Sequence, residues 1–245
     1  MLTGKRIIVT GAAQGIGATL AAGFAAMGAQ VALADIADPS PAAAQINGAI
    51  AVQMDVTKLA DCERLAAETE TAFGGIDGVV NGAALFATLP MTDQDEISVD
   101  LWDKVMAVNA KGPWLVTRAC SPSMAKSGGG SIVMISTNRI LQGSPGMLHY
   151  DASKGAVFAM TRSLIREFGP KNIRVNSLLP GLTMSEGVKA RSGIEERAPL
   201  IAKTRSLARD MEPDDLIGPC AFFLSDHAAF VTGQALCVDG GGVTH

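Results

Sequence analysis

The 245-residue chain predicts an α/β fold, a doubly wound parallel sheet with helices on both faces, formed as a single domain over residues 1–245. Three observations carry the prediction. Short apolar runs alternate with longer helical stretches from end to end. Those runs are continuously apolar, as strands covered on both faces require, where a half-exposed strand would alternate. The composition, 48% hydrophobic and 27 glycines with only 4% aromatics, suits small-residue helices packed closely on a sheet better than an aromatic-rich sandwich.

In chain order, residues 6–10 (Arg-Ile-Ile-Val-Thr) read as a short buried strand, and residues 17–27 as an Ala-rich helix closed by Gly28. A second strand over 31–34 ends at Asp35. Further strands are expected near 49–54, 76–80, 131–135, 173–179 and 235–238, with helices near 58–73, 99–126, 151–168 and 213–224. Pro113 interrupts the long helix: it has no N–H for the Asn109 carbonyl and should kink the chain there. Residues 84–98 and 182–212 fit neither period. Both follow strands, whose carboxyl ends border the ligand crevice in open α/β sheets, so they are candidate pocket walls, and 182–212 is a candidate substrate lid.

Charge and cysteine usage exclude several function classes. Lys plus Arg total 20 against 24 for Asp plus Glu, a formal net charge of -4 without a basic block, so no nucleic-acid partner is expected. Cys62, Cys120, Cys220 and Cys237 are far apart, and His149, His227 and His245 are scattered. No disulfide framework and no metal site is indicated. Lys5 and Arg6 before an Ala-rich run imitate a secretory leader, but glycines punctuate that run and no stretch has the length needed to span a bilayer. No membrane partner and cytoplasmic residence are the expectation.

Thr10-Gly11-Ala12-Ala13-Gln14-Gly15-Ile16-Gly17 lies between the first strand and the first helix. Glycines at this spacing allow a tight turn and close backbone approach, and the helix N-terminus adds partial positive charge, a combination that holds a pyrophosphate in a Rossmann-like fold. Asp35, about 20 residues on, can accept both ribose hydroxyls of an adenosine and would repel a 2′-phosphate; no Lys or Arg stands near it, which favours NAD over NADP. Asp55, at the end of the third strand, is a candidate for the adenine edge. Tyr150-Asp151-Ala152-Ser153-Lys154 sets a phenol and an ammonium four residues apart on one helical face. A cation there is expected to lower the phenol's pKa toward a value useful for proton transfer. Tyr150 is the only tyrosine in the chain.

With these elements the sequence resembles the short-chain dehydrogenase/reductase family across essentially its whole length. Thr10 to Gly17 fits the family's Thr-Gly-x-x-x-Gly-x-Gly, Tyr150 and Lys154 its Tyr-x-x-x-Lys, and Asn109 its catalytic asparagine. Asn176 with Pro180-Gly181 fits Asn-x-x-x-Pro-Gly, and Asp239-Gly240-Gly241 the closing segment. The resemblance implies hydride movement between nicotinamide C4 and a carbinol carbon, with Tyr150 as acid/base and Lys154 on the nicotinamide ribose. Its hydroxyl partner falls at Thr137, thirteen positions before Tyr150, with Ser136 the alternative. Asn81-Gly82-Ala83-Ala84 departs from the family's Asn-Asn-Ala-Gly, which puts local rigidity in question. By the same resemblance NAD would be held by Gly11, Gln14, Gly15, Ile16, Gly17, Asp35, Asp55, Val56, Asn81, Ala83, Tyr150, Lys154, Pro180, Gly181, Thr183 and Ser185. A homotetramer is expected.

The function expected is therefore NAD-dependent oxidation of a secondary alcohol, or reduction of its ketone. Thr137, Arg139, Met147 and Tyr150 are the candidate substrate contacts. Gln142 and His149 add to a polar set around the catalytic turn that suits a polyol, sugar or other polar alcohol. The Pro180 to Val188 stretch and the terminal Val243-Thr244-His245 are similar to dehydrogenases of pyridoxal and aryl alcohols. Arg139, two residues past Thr137, either faces the pocket and favours anionic or densely hydroxylated substrates, or pairs with an acidic side chain. Two other functions compete. A 3-oxoacyl-carrier-protein reductase usually has NADP and a basic docking patch, which Asp35 and the net charge oppose. A nucleotide sensor without catalysis would not need Tyr150, Lys154 and Asn109 together.

Overall fold

The computed structural model describes residues 1–244; His245 lies outside the described residues. Its core is a seven-stranded parallel sheet in the order β3-β2-β1-β4-β5-β6-β7. The strands are β1 (Arg6–Thr10), β2 (Gln30–Asp35), β3 (Ile50–Gln53), β4 (Gly78–Asn81), β5 (Gly130–Ile135), β6 (Ile173–Pro180) and β7 (Ala235–Val238). All seven lie where the apolar runs predicted them. The chain builds outward from β1 through β3, then returns to start β4 on the other side of β1. A crevice opens at that reversal, above the carboxyl ends of β1 and β4, where Thr10 is in register with Asn81.

The helices are α1 (Gly15–Ala26), α2 (Ser40–Ala43), α3 (Leu59–Phe73), α4 (Val99–Met106), α5 (Gly112–Lys126), α6 (Arg139–Gln142), α7 (Leu148–Phe168), α8 (Glu186–Lys189), α9 (Ile194–Lys203) and α10 (Ile217–Leu224). Because successive strand residues point to opposite faces, β1 sends Ile8 one way and Ile7 and Val9 the other. Ile8, Val79, Ile132 and Val175 pack with Leu65 of α3, Val116 and Cys120 of α5 and Val157 of α7. Ile7, Val9, Leu33 and Val133 pack with Leu20 and Phe24 of α1 and Cys220 and Phe223 of α10. The sheet is covered on both faces, which is why its strands carry no polar alternation.

The helix expected over 99–126 is divided. Between α4 and α5 the chain makes a π-helical turn at Ala107–Lys111, and the Gly112 N–H bonds the Ala107 carbonyl five residues back. Pro113 is the physical cause: without an N–H it cannot continue the ladder to Asn109. Three short helices, α2, α6 and α8, fall in stretches without a helical period, and α9 lies inside the unassigned segment 182–212. A bridge between Thr183 and Met211 ties the two ends of segment 182–212 to each other. No helix among the described residues is long and apolar enough to cross a membrane.

Candidate active site

The glycine turn is tied to β2 before α1 begins. Gly11 and Ala12 N–H groups donate to the Ala34 carbonyl at 2.8 and 3.2 Å, and the Ala13 N–H donates to Asp35 Oδ2 at 3.0 Å. Gly11 has φ +74°, and a Cβ on it would lie 2.8 Å from the Ala83 Cα; one on Gly17 would collide with the Gly11 carbonyl. The turn can therefore close only with glycine at both positions. No side chain caps the N-terminus of α1 and no acidic residue occupies its first turn. Its leading N–H groups remain available to an anion, which is what a dinucleotide's pyrophosphate requires.

A cavity of about 970 Å³ runs from this turn across the sheet ends. Of the expected cofactor residues, Gly11, Gln14, Gly15, Ile16, Gly17, Asp35, Asp55, Val56, Ala83, Tyr150, Lys154, Pro180, Gly181, Thr183 and Ser185 line it, as do Thr137, Arg139 and Met147. Asp35 stands at the end of β2 with Oδ1 accepting the Ala37 N–H at 3.1 Å, so both carboxylate oxygens are oriented by backbone. Thr57 donates to Asp55 from its N–H and its hydroxyl, and these bonds offset burial to hold the Asp55 carboxyl below its ordinary value.

The side chains of Asn81 and Asn109 are buried beside the cavity and engaged within the protein. Asn81 turns away from the cavity, its Nδ2 donating to Thr117 Oγ1 at 3.2 Å and contacting Met134 Sδ at 3.4 Å. The neighbouring Gly82 answers the question of rigidity. A Cβ there would sit 2.7 Å from the Thr10 carbonyl, and the Gly82 and Ala83 N–H groups both donate to Thr10 Oγ1. Backbone bonds to Thr10 thus hold the junction where a second asparagine is missing. Asn109 is fully buried; its Oδ1 accepts the Leu85 N–H at 2.7 Å, and its Nδ2 donates to the Leu85 carbonyl and to Ser153 Oγ, both at 3.1 Å. Ser153 in turn donates to the Tyr150 carbonyl at 2.7 Å. Asn109 ties the loop after β4 to the helix that bears Tyr150.

Tyr150 lies in the first turn of α7, buried beside Thr137, Met147 and Phe86. The two candidate hydroxyls separate cleanly. Ser136 Oγ donates to the Lys154 carbonyl at 2.9 Å and is committed to the helix backbone, whereas the Thr137 hydroxyl accepts the Arg139 N–H at 3.3 Å and lies close enough to the Tyr150 phenol to favour its ionised form. Lys154 is 2% exposed, has no carboxylate within salt-bridge distance among the described residues, and donates to the Ile135 carbonyl at 2.7 Å. Burial pulls its pKa down to about 8.

The expectation that Lys154 lowers the Tyr150 pKa is not met. Burial dominates and pushes the phenol up; the neighbouring Thr137 hydroxyl and the charge of Arg139 oppose it, while Asp151 adds to the rise. The ammonium lies 6.0 Å from the phenol ring centroid, directed at a backbone carbonyl, and is itself depressed by the same dry surroundings. The phenol in this state is a proton donor.

Of the two positions expected for Arg139, the structure shows the pairing with an acidic side chain. Its guanidinium grips Asp151 through two bonds of 2.8 and 2.9 Å and also donates to the Ser144 and Pro145 carbonyls. It stands in the cavity wall, but its fork is spent on Asp151 and the 144–146 turn. Sequence reasoning missed three further residues of the cavity wall. Phe86 stacks on Tyr150 with ring centroids 4.9 Å apart, and Arg191 and Arg197 line the same end. The only available signal was that both loops follow strands, because no spacing singles these residues out.

A family model described as enoyl-(acyl carrier protein) reductase matches residues 11–243. The "Probable galactose dehydrogenase GalD" of Rhizobium meliloti is 34% identical over 98% of this chain and 95% of its own length. A short-chain type dehydrogenase/reductase of Bradyrhizobium diazoefficiens is 37% identical over 99% of this chain and 88% of its own. A crystal structure described as a short-chain alcohol dehydrogenase from Sinorhizobium meliloti superposes with a TM-score of 0.90 at 30% identity, covering 98% of this chain and 97% of that one. Together with the glycine turn and the Tyr150, Lys154 and Thr137 cluster at the far end of one cavity, these likenesses show that the chain belongs to the short-chain dehydrogenase/reductase family and is an oxidoreductase acting on alcohols.

Proposed function

We propose that the protein is an NAD-dependent dehydrogenase of polar secondary alcohols, working reversibly on the corresponding ketones. The observation that carries this reading is the continuity of one cavity from the Asp35 carboxylate and the α1 N-terminus to the Tyr150 phenol. When bound, the nicotinamide supplies the hydride acceptor or donor. The chain's own residues do the rest. Tyr150 Oη passes a proton to or from the substrate oxygen, and the Thr137 hydroxyl hydrogen-bonds that oxygen beside it. Lys154 Nζ, anchored on the Ile135 carbonyl, holds the nicotinamide ribose. Asn109 acts as a positioning residue through Leu85 and Ser153.

Asp35 supports NAD over NADP. A 2′-phosphate there would meet a carboxylate already fixed by two backbone N–H groups, with Asp38 nearby and no Lys or Arg from 36 to 44. The test compares kcat/KM for the two cofactors. NAD should be preferred by at least about tenfold in the wild type, and Asp35→Ala should erase most of that preference. Equal use of NADP by the wild type would overturn the cofactor assignment. The same carboxylate and the net charge of -4 argue against an acyl-carrier-protein reductase, the reaction named by the matching family description. A sugar such as the galactose in one relative's name falls within the polar class proposed.

Cytoplasmic residence and assembly as a homotetramer are part of the same reading. Support for assembly comes from the outer faces of α5 and α7. Trp114 is exposed beneath the Arg118 guanidinium, and Arg162 lies 4.3 Å over the Phe158 ring.

A further inference from the structure

The substrate end of the cavity carries two cations that the protein leaves without anions. The Tyr150 and Phe86 rings pack tilted at 44° with centroids 4.9 Å apart, and the Arg191 guanidinium carbon lies 5.2 Å from the Phe86 centroid, so the guanidinium sits against the phenol's aromatic neighbour. Arg191 donates to the Phe86 and Leu89 carbonyls at 2.8 and 3.0 Å. Those bonds fix its plane and use two of its five N–H donors. Arg197, on α9, lines the same space and touches Met91 Sδ. Burial first, then the charges of Arg197 and Arg139, pulls Arg191 below its ordinary value. Arg139, Arg191 and Arg197 thus line one cavity, and of these three only Arg139 has a carboxylate partner within 4.0 Å among the described residues. Glu186, Glu195 and Glu196, on the same segment, are exposed and pair with neither Arg191 nor Arg197.

Like charges gathered in a half-dry cavity repel unless an anion joins them, and a planar fork with free donors is shaped for a carboxylate or sulfonate. We propose that Arg191 and Arg197 form an anion subsite, and that the substrate is a short hydroxy acid, or its keto acid, whose carbinol oxygen meets Tyr150 while its anionic group reaches Arg191 past Phe86. This rests on the dehydrogenase reading above. It also transfers to Arg191 and Arg197 the anion-binding role that sequence position suggested for Arg139.

The test has a binding arm and a turnover arm. The NAD-loaded protein is titrated calorimetrically with butyrate, butanesulfonate and the neutral butyramide. NAD reduction is then followed with 3-hydroxybutyrate and with its methyl ester. In the wild type the anions should bind and the amide should not, and kcat/KM should favour the acid over the ester by roughly 10- to 100-fold, mainly through KM. Arg191→Met should remove anion binding and bring that ratio to within about threefold, with Arg191→Lys intermediate. Arg197→Met, at an exposed position, carries the same comparison should loss of the Phe86 and Leu89 bonds unfold the Arg191 variant. Absence of anion binding by the wild type, or an equal loss for acid and ester in the variants, overturns the subsite. The two readings fail separately. An ester oxidised as well as the acid removes the arginine subsite and keeps the dehydrogenase. Arginine-dependent anion binding without NAD reduction by any alcohol keeps the subsite and removes the dehydrogenase.

Discussion

Tyr150→Phe should lower kcat by about 10²- to 10⁴-fold, the range typical of a lost general acid or base, while the Kd for NAD stays within about twofold. The substitution removes one oxygen, and Phe retains the stacking on Phe86 and the packing against Met147 and Val105. Burial holds the phenol's pKa up, so alcohol oxidation, which needs the deprotonated form, should accelerate as pH rises. Ketone reduction should show the opposite trend. Initial rates in both directions against pH, with calorimetric NAD titrations of the two proteins, check this. Retention of most activity by the Phe variant at neutral pH would show that another group moves the proton.

Lys154→Met should separate stability from turnover. An ammonium that is 2% exposed, with one carbonyl partner and no counter-ion, is costly to bury. Its pKa falls from 10.5 to about 8 in the folded protein. The folded-state value lies below the unfolded one, so between those two pH values the unfolded chain binds more protons and stability rises with pH. Below pH 8 the full penalty is present, about 3 kcal/mol on this shift. Methionine has a similar shape without the charge. The variant should melt several degrees higher than the wild type near neutral pH, with the gap closing as pH approaches 10.5. NAD affinity and turnover should both drop. Melting curves of the two proteins across that range are the check, and a gap that does not change with pH would mean that the lysine is not buried as a cation.

Much of this molecule was legible because its signals are local. Continuous apolar runs found all seven strands, since a sheet covered on both faces favours apolar residues on both sides of each strand. The glycine turn was readable because close backbone approach excludes a Cβ at Gly11 and Gly17. Pro113 foretold the break in the long helix, though its form, a π-helical turn, depends on how α4 and α5 pack against their neighbours. What could not be read depends on which way a side chain turns. Asn81 sits in register next to the glycine turn yet points at Thr117, and Arg139 adjoins the catalytic turn yet closes on Asp151, twelve residues away. Phe86 and Arg191 lie on loops, and Arg197 on the short helix α9, whose placement is fixed by long-range contacts such as Asn109 to Leu85 and Arg191 to Phe86. No periodicity encodes those contacts.

The central claim is that a hydride passes between a carbinol carbon and NAD while Tyr150 handles the proton. It is tested most directly by incubating the protein and NAD with secondary alcohols deuterated at the carbinol carbon and reading the label in the reduced cofactor by mass spectrometry. The account predicts one deuterium per reduced nicotinamide with the wild type and negligible labelled cofactor with Tyr150→Phe. Deuterium released to water instead, or no reduced cofactor from any alcohol in a panel of hydroxy acids, sugars and polyols, would contradict it.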